Sequence, residues 1–347
     1  MYRTTPASSC SRMRFSKPTA LSLFSSPMGY LRCCDGRERR GQPLDFNRVI
    51  SPKGDGLPVR ACQSCECHAD RPKFPKAGEV IEMTGLEDLE ASQRAISNLL
   101  YQHAHDSGRI TEPGAVFEIP MATVRTGISK HGDRLRASLT ALARIVARAT
   151  YTEEGVGGKG RQQRVVIGGL FKFFNVAQQD LAAGATLRFA LNDDLVAVID
   201  RSARWGRIKA EVFCAMRSRY AIALYEALAL RRNMDRCIET FPIDRFRELL
   251  AVKADTYKIG TDFQRFVIDP AVLEVNGLSD MGVKIEVQRK HGRAPIHGVT
   301  MAWWKKSPAD LAAAVRERNR SKIGRMARLK GAVEAVTPRT ALALPAE

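Results

Sequence analysis

The residues best suited to bind a metal lie near the N-terminus, in the segment CQSCECH at positions 62–68. Cys62 and Cys65 have the spacing of half a zinc site, and Cys67 and His68 are further possible ligands. A closed zinc site needs four ligands, and no second pair of suitable spacing follows nearby. Haem attachment through Cys67 and His68 would need a cysteine at position 64, which is a serine. We therefore expect no metal and no cofactor.

A histidine pair at His103 and His105 suggests a second chemistry, metal-dependent nicking of DNA. Rolling-circle nicking initiators use such a pair on one strand face, where alternate residues point the same way. Here the pair ends a helical pattern, so the two rings would diverge by roughly 200°. Nicking remains a remote alternative, and we predict that the chain is not an enzyme.

The glycine-rich stretch GVGGKG at 155–160 superficially resembles a phosphate-binding loop. That motif needs a glycine at position 153, which is glutamate, and a serine or threonine after Lys159, where Gly160 stands instead. We interpret the stretch as a flexible basic turn, the wing of a first DNA-binding domain.

The charge balance indicates a polyanionic partner. The chain has 347 residues, with 55 Lys and Arg against 37 Asp and Glu, a net charge of +18. Such an excess attracts nucleic acid or anionic membrane, but no apolar run approaches the ~20 residues that span a bilayer. No helix pattern combines a basic face with a bulky apolar one. Nucleic acid is the expected partner, with no membrane.

Cysteine usage and the first 78 residues set the context. Six of the eight cysteines precede residue 69, so the remaining part contains no disulfide framework and fits a reducing, cytoplasmic compartment. Residues 1–78 are rich in Ser, Arg, Pro and Gly without a sustained period of 2 or 3.6. We expect a disordered or spurious leader; an organellar transit peptide is the alternative.

The remainder shows one order of elements twice. The first copy reads as a helix at 86–104, a short strand in AVFEIP, a segment MATVRTGIS and a helix at 133–150 with Val146 on its apolar stripe. Three β-rich segments follow. The second copy reads as one helix at 211–233, a short strand in TFPI, DRFRELLAV, a helix at 262–276, and two strands joined by KHGR.

This order predicts an α+β fold of two tandem winged helix-turn-helix domains related by a pseudo-repeat. We assign 1–78 to the leader, 79–206 to a first domain for dimerisation and auxiliary DNA contact, 207–306 to a second domain for DNA binding, and 307–347 to a basic helical tail. In such a domain the third helix enters the major groove and the wing contacts the backbone.

The helix at 262–276, DFQRFVIDPAVLEVN, is the expected base-reading element. Asp262 and Gly277 are the expected cap residues, and Phe263, Val267, Ala271 and Val275 should pack inward. Pro270 should produce a bend beyond the first two turns, or follow Asp269 at the start of a second helical segment.

The expected DNA contacts divide by chemistry. Base edges are assigned to Gln264 and Arg265, because their side chains can bond adenine and guanine edges bidentately. The remaining candidates suit phosphates: Thr261 and Lys258 before the helix, Arg289, Lys290 and Arg293 in the wing, and in the first domain Lys130, Arg134, Arg136, Lys159 and Arg161.

Three blocks resemble the signatures of iteron-binding plasmid replication initiators of the Rep family. They are SRYAIALYEALA at 218–229, FPIDRFRELLAV at 241–252, and the helix at 262–276, followed by the strand pair ending in MAWW. The similarity covers roughly residues 83–306. Members of this family often carry further basic residues where this chain has Phe266.

The resemblance implies two winged-helix domains that bind directly repeated double-stranded origin sites, or iterons. It further implies origin opening, recruitment of a host replication initiator and the replicative helicase, a homodimer in equilibrium with monomer, and autorepression of the gene. The alternative is a dimeric winged-helix transcriptional repressor, which would share the fold and the contacts.

Overall fold

The computed structural model describes residues 73–125, 132–154, 160–176, 185–291 and 294–331. These residues belong to one compact unit, so the two halves of the repeat can be described together. The segment CQSCECH, Lys130, Lys159 and Arg293 lie outside the described residues. Within the described ranges, no helix combines the length and the apolar composition that crossing a bilayer requires.

The first half contains the predicted helices and strands in order, together with a further strand and short helix at its start, a helix at its end, and four strands in place of the three predicted β-rich segments. They are β1 (Phe74–Ala77), α1 (Gly78–Ile81), α2 (Ala91–Asp106), β2 (Phe117–Pro120), α3 (Met121–Arg125), α4 (Gly132–Arg144), β3 (Ala147–Glu154), β4 (Arg161–Gly168), β5 (Phe171–Asn175), β6 (Thr186–Leu191) and α5 (Asp193–Asp200). Residues 73–78, which were predicted to belong to the leader, thus contain β1, whose Phe74 is buried.

Two boundaries differ from the sequence prediction. Helix α2 begins at Ala91 rather than near 86, because the side chains of Glu90 and Gln93 cap each other's backbone N–H groups. Helix α4 ends at Arg144, and Val146 is exposed rather than part of the apolar stripe. The chain turns there into β3, whose alternate residues Ala147 and Ala149 are buried.

The histidine pair lies in α2, as predicted. His103 places Nε2 2.7 Å from the carbonyl oxygen of Glu118 on β2. His105 instead places Nδ1 3.3 Å from the carboxylate of the adjacent Asp106. The two rings therefore have different neighbours and do not converge on one point.

The order of strands in the sheets shows which hairpin of the first half corresponds to the wing hairpin of the second half. The first half has a three-stranded antiparallel sheet in the order β2–β6–β5. The second half has one in the order β8 (Ile238–Pro242), β10 (Ile296–Lys305) and β9 (Met281–Arg289). By this order the hairpin β5–β6 occupies the place of β9–β10. The hairpin β3–β4 forms a separate two-stranded sheet between α4 and β5. The assignment of GVGGKG to a wing is therefore wrong, because this turn joins the additional hairpin; its residues 155–159 lie outside the described ones.

The second half continues with the following elements. They are β7 (Trp205–Ile208), α6 (Ala210–Phe213), α7 (Arg219–Arg231), β8 (Ile238–Pro242), α8 (Ile243–Leu249), α9 (Gly260–Phe263), a π-helical turn (Gln264–Ile268), α10 (Asp269–Leu278), β9 (Met281–Arg289), β10 (Ile296–Lys305), α11 (Pro308–Asn319) and α12 (Arg325–Leu329). Strand β7 pairs antiparallel with β1, which joins the first described strand to the middle of the chain.

The helix predicted at 211–233 is two helices. Its interruption is stabilised by Glu274 of α10, whose carboxylate accepts hydrogen bonds from the backbone N–H groups of Arg217 at 3.0 Å and Ser218 at 3.1 Å. The Ser218 hydroxyl in turn accepts from the N–H of Ala221 and caps α7. The sequence pattern lacks this break because the capping carboxylate comes from a distant helix.

A buried polar cluster joins the two halves. Glu226 of α7 is fully buried and accepts hydrogen bonds from Arg94 at 2.8 Å and Lys76 at 3.2 Å, and also from the side-chain amide of Asn98. Burial alone would raise the pKa of the Glu226 carboxyl, but the charges of Arg94 and Lys76 outweigh it and lower the pKa to about 2. The carboxylate is therefore ionised and paired across the boundary between the halves.

The basic tail packs back on the second half. Arg325 is 2% exposed, and its guanidinium donates to main-chain carbonyls of Ala215 and of α11 and the turn after it. Leu329 lies against Gly277, where a Cβ atom would collide with it. Gly277 is thus inside α10, where it permits this close approach, and is not the residue after the helix end, as the sequence pattern predicts.

Candidate nucleic-acid interface

The helix predicted to read bases spans α9, the π-helical turn and α10, and is called here the proline-containing helix (260–278). It begins at Gly260, so Asp262 lies in its first turn and is not the cap. The four residues predicted to face inward are all buried: Phe263, Val267, Ala271 and Val275. The inward face of the helix is therefore confirmed.

Pro270 acts on the helix earlier than expected. The backbone N–H of Asp269 donates to the carbonyl of Gln264, five residues back, which defines the π-helical turn. Proline has no N–H, and in a regular helix its ring would clash with the carbonyl of Phe266, four residues back. A wider turn relieves that clash. The expectation of a regular first part is therefore wrong, because the widened turn contains Gln264 and Arg265 themselves.

The wide turn determines which side chains face outward. Val267 and Ile268 are both buried, whereas Arg265 and Phe266 are both exposed, and Phe266 is 48% exposed. Gln264 is half-buried beside them. The outward face thus presents a cation next to an aromatic ring.

Arg247 of α8 organises the loop that precedes the helix. Its guanidinium donates to the carbonyls of Lys253 at 3.0 Å and Tyr257 at 3.2 Å, and also to that of Thr256. The same group lies 5.0 Å from the ring centre of Phe263. One side chain therefore satisfies several loop carbonyls and fixes the loop against the first turn of the helix.

Tyr257 connects this loop to the outward face. Its backbone has φ 50°, a left-handed conformation that is uncommon outside glycine. Its ring stacks on Phe266 with centroids 6.0 Å apart and an interplanar angle of 29°. On the helix, the Arg265 guanidinium lies 5.2 Å from the centre of the same Phe266 ring. Sequence reasoning missed Arg247 and Tyr257, because neither the loop path nor the positive φ has a sequence signal here.

Thr261 and Lys258, which were predicted to precede the helix, are both exposed. Thr261 lies within the first turn of the helix rather than before it. Lys258 is 3.2 Å from the carboxylate of Asp255, and both side chains are mostly exposed. An exposed ion pair of this kind contributes little and exchanges readily for a phosphate contact.

The predicted wing residues divide into two kinds. Arg289 is half-buried, donates to the carbonyl of Ala294 at 2.9 Å, and lies where a Cβ atom on Gly260 would be 2.9 Å from its Nη2. It therefore braces the wing against the helix start. Lys290 is exposed and has no ion-pair partner among the described residues. Lys290 is thus the freer cation for a phosphate.

Cations also stabilise the far end of the helix. Lys306 donates to the carbonyl of Ser279 at 2.8 Å and also to that of Asn276, and Arg318 donates to that of Leu278 at 2.6 Å. Burial lowers the pKa of Lys306 to about 8 although Asp280 and Asp310 oppose the shift. Positive groups at a helix C-terminus satisfy its free carbonyls and complement its dipole.

The first-half candidates lie on two different elements. Arg134 and Arg136 are exposed on α4, the helix that corresponds by order to the proline-containing helix. Arg161 is exposed at the start of the additional hairpin β3–β4.

Comparison with known proteins relates the second half to a family. Residues 242–303 match the family model described as initiator Rep protein, WH2. No curated protein sequence matches the chain significantly.

Solved structures of initiators are similar at low identity. The crystal structure of the Pi initiator protein in complex with iteron DNA is similar over 68% of this chain and 98% of that one, with 14% identity and a TM-score of 0.49. Domains 2 and 3 of RctB are similar over 62% of this chain and 82% of that one, with 9% identity and a TM-score of 0.39.

The family match extends from the end of β8 through the proline-containing helix to the strand that ends in MAWW. It therefore includes the helix, the loop fixed by Arg247 and the wing. The family resemblance predicted from the sequence is confirmed: residues 242–303 match the second winged-helix domain of initiator Rep proteins.

Proposed function

We propose that this chain initiates plasmid replication by binding directly repeated origin sites through the proline-containing helix. The observation that carries the proposal is the match of residues 242–303 to the initiator Rep winged-helix domain, together with the outward position of Arg265 and Phe266 on its helix. In a winged helix this face meets the major groove while the wing meets the backbone. Arg265 then reads a guanine edge, with Lys290 on a phosphate.

The first half, in this proposal, is a second winged-helix unit that assists DNA binding and forms a dimer. Its sheet order and its helix order support a tandem arrangement with the boundaries 79–206 and 207–306, followed by the tail 307–347. Arg134 and Arg136 would contact the backbone beside the iteron. Lys130 is assigned the same auxiliary role, whereas Lys159 and Arg161, which the sequence assigned to a wing, belong to the chain segment of the additional hairpin β3–β4.

The dimer surface we propose is the additional hairpin β3–β4. Val165 and Ile167 are 56% and 59% exposed on β4. The outer edge of β4 has no strand partner among the described residues, whereas β3 is bridged by Thr84 at Arg148. A free strand edge beside exposed aliphatic side chains is suited to pair with a second copy of itself. The monomer would open the origin and recruit the host initiator and helicase, and the dimer would repress the gene.

A plasmid maintenance assay tests the function. The gene with its flanking DNA is placed on a plasmid that lacks another origin, and sustained replication is expected. Protection of several direct repeats from nuclease should accompany it. Loss of the plasmid, combined with protection of one inverted repeat and intact repression of the promoter, would instead identify a dimeric repressor.

A separate nicking assay addresses catalysis. We propose that the chain acts by binding alone, so supercoiled origin DNA should remain unnicked in the presence of protein and divalent metal. Nicking that depends on His103 or His105 would overturn this part and favour a rolling-circle mechanism.

A further inference from the structure

Phe266 is an exposed aromatic residue with a built support. Single exposed apolar side chains are common and by themselves indicate nothing. Phe266 differs because its ring stacks on that of Tyr257 at 6.0 Å and lies 5.2 Å from the guanidinium of Arg265. The ring therefore has a fixed orientation on the outward face before any ligand binds.

The support extends into the fold. The ring of Tyr257 also meets Tyr220 of α7 edge-on, with centroids 6.4 Å apart and an interplanar angle of 80°. The Tyr257 carbonyl accepts a hydrogen bond from Arg247, and the Tyr257 backbone has a left-handed φ of 50°. A side chain fixed in this way loses little rotamer entropy when it enters an interface, which favours a role in recognition.

The chemistry of Phe266 limits what it can recognise in a major groove. It can neither donate nor accept a hydrogen bond, so the donor and acceptor patterns of the base edges give it nothing to bind. The C5-methyl group of thymine is the apolar group that standard bases present in this groove, and contact with an apolar side chain is its usual recognition.

We infer that Phe266 is a specificity-determining residue that packs its ring on the C5-methyl group of one thymine in the binding site. Arg265, its neighbour on the helix, reads a guanine close to that thymine. Tyr257 and Arg247 are positioning residues that act through the orientation of the Phe266 ring. This inference rests on the proposed function, because it requires the helix to lie in the major groove.

Removal of single methyl groups from the DNA tests the inference. Duplexes are selected by the wild-type full chain from a random-sequence library, and each thymine is then replaced in turn by deoxyuridine, which lacks only the methyl group. Affinities are measured by fluorescence anisotropy. At one position the replacement should weaken wild-type binding about threefold to fivefold, the size expected for one methyl group removed from water.

Variants of the protein test whether the Phe266 ring is responsible for the loss of affinity on replacing thymine by deoxyuridine. Phe266→Ala should bind the thymine and deoxyuridine duplexes equally, while Phe266→Leu, which keeps an apolar contact, should retain part of the difference. Tyr257→Phe should retain all of it. Tyr257→Asn, which tolerates the left-handed backbone, should reduce it. Met234→Ala removes a side chain that is 46% exposed outside this helix and should change nothing.

Two results would overturn the inference, and they can be told apart. If the wild type selects a site but Phe266→Ala keeps the same deoxyuridine sensitivity at every position, the ring reads no methyl group although the helix binds DNA. If the wild type selects no site, the proposed function fails and the inference fails with it.

Discussion

The two halves of the chain follow the same order of helices and strands but expose different side chains. In the second half the third helix presents Arg265 and Phe266, and Tyr257 of the preceding loop stacks on Phe266. In the first half the corresponding helix presents Arg134 and Arg136, and the conspicuous exposed apolar residues lie on the additional hairpin β3–β4 instead. The same order of helices and strands thus presents two surfaces of different chemistry.

The difference shows how two copies of one fold can present surfaces for different partners. A cation beside a supported aromatic ring suits base edges, whereas aliphatic residues on a free strand edge suit another protein chain. The Glu226 cluster joins the two surfaces into one body, because its carboxylate on α7 is paired with residues of β1 and α2. This division of surfaces can be tested by substitution, first at the Glu226 cluster that connects the two halves.

The largest effect is expected from Glu226→Gln. The amide cannot balance the buried charges of Arg94 and Lys76, and breaking such a pair costs about 3–5 kcal/mol of unfolding free energy. Urea unfolding measures the loss, and both halves should unfold together. Glu248→Gln is the control, since its exposed pair with Arg245 should contribute less than about 1 kcal/mol.

The pH dependence of the unfolding free energy should identify the contribution of the Glu226 carboxylate. The pKa of Glu226 falls from 4.5 to about 2 on folding, so its stabilisation is present above about 4.5 and is lost as the pH falls towards 2. The unfolding free energy of the wild type should therefore fall more steeply in this window than that of Glu226→Gln. Parallel curves would contradict the assignment of an ionised carboxylate.

Arg265→Ala should produce the next largest effect. Loss of a bidentate guanine contact should weaken binding to the selected site by about 1–3 kcal/mol and leave binding to random DNA unchanged. Arg134→Ala, the matched change in the first half, should weaken both kinds of binding by a similar, smaller amount. Equal effects of the two variants on site preference would erase the proposed difference between the helices.

Charged substitutions in the hairpin β3–β4 should weaken self-association without weakening DNA binding. Val165→Lys combined with Ile167→Lys places two charges on the exposed face of β4 and should raise the dimer dissociation constant at least about tenfold, because like charges would meet across the interface. Analytical ultracentrifugation measures this constant. Affinity for one site should stay within about twofold, and an unchanged dimer would place the interface elsewhere.

The smallest effect concerns the wing. Lys290→Gln, combined with Arg293→Gln, should lower the slope of log affinity against log salt concentration by about 1 for each phosphate that the wing no longer neutralises. Arg289→Gln should behave differently and lower thermal stability, because Arg289 braces the wing through the carbonyl of Ala294. A slope that stays constant in the Lys290 and Arg293 variant would show that the wing binds no phosphate.

Local pattern was sufficient for most helices and strands and for the inward face of the proline-containing helix, but not for β1 or the break before α7. The spacing of Phe263, Val267, Ala271 and Val275 predicted the buried stripe of the proline-containing helix, because burial of apolar side chains repeats with the helical turn. The three signature blocks likewise predicted the family that residues 242–303 match. These features depend on neighbours in the chain and can be read from it.

Features that depend on distant partners were decided by the tertiary structure. The break before α7 is capped by Glu274 of another helix, and the loop before the proline-containing helix is held by Arg247. The additional hairpin was separated from the wing by strand pairing, which brings together residues far apart in the chain.

The outward face of the proline-containing helix depends on both the local sequence and the tertiary structure. The sequence determined that Pro270 must disturb the helix, since proline lacks an N–H and collides with the carbonyl four residues before it. Only the packed structure decided how: the turn widened over Gln264–Ile268, because Val267 and Ile268 could then both enter the core. That choice placed Arg265 and Phe266 side by side on the surface, where Tyr257 could stack against the ring.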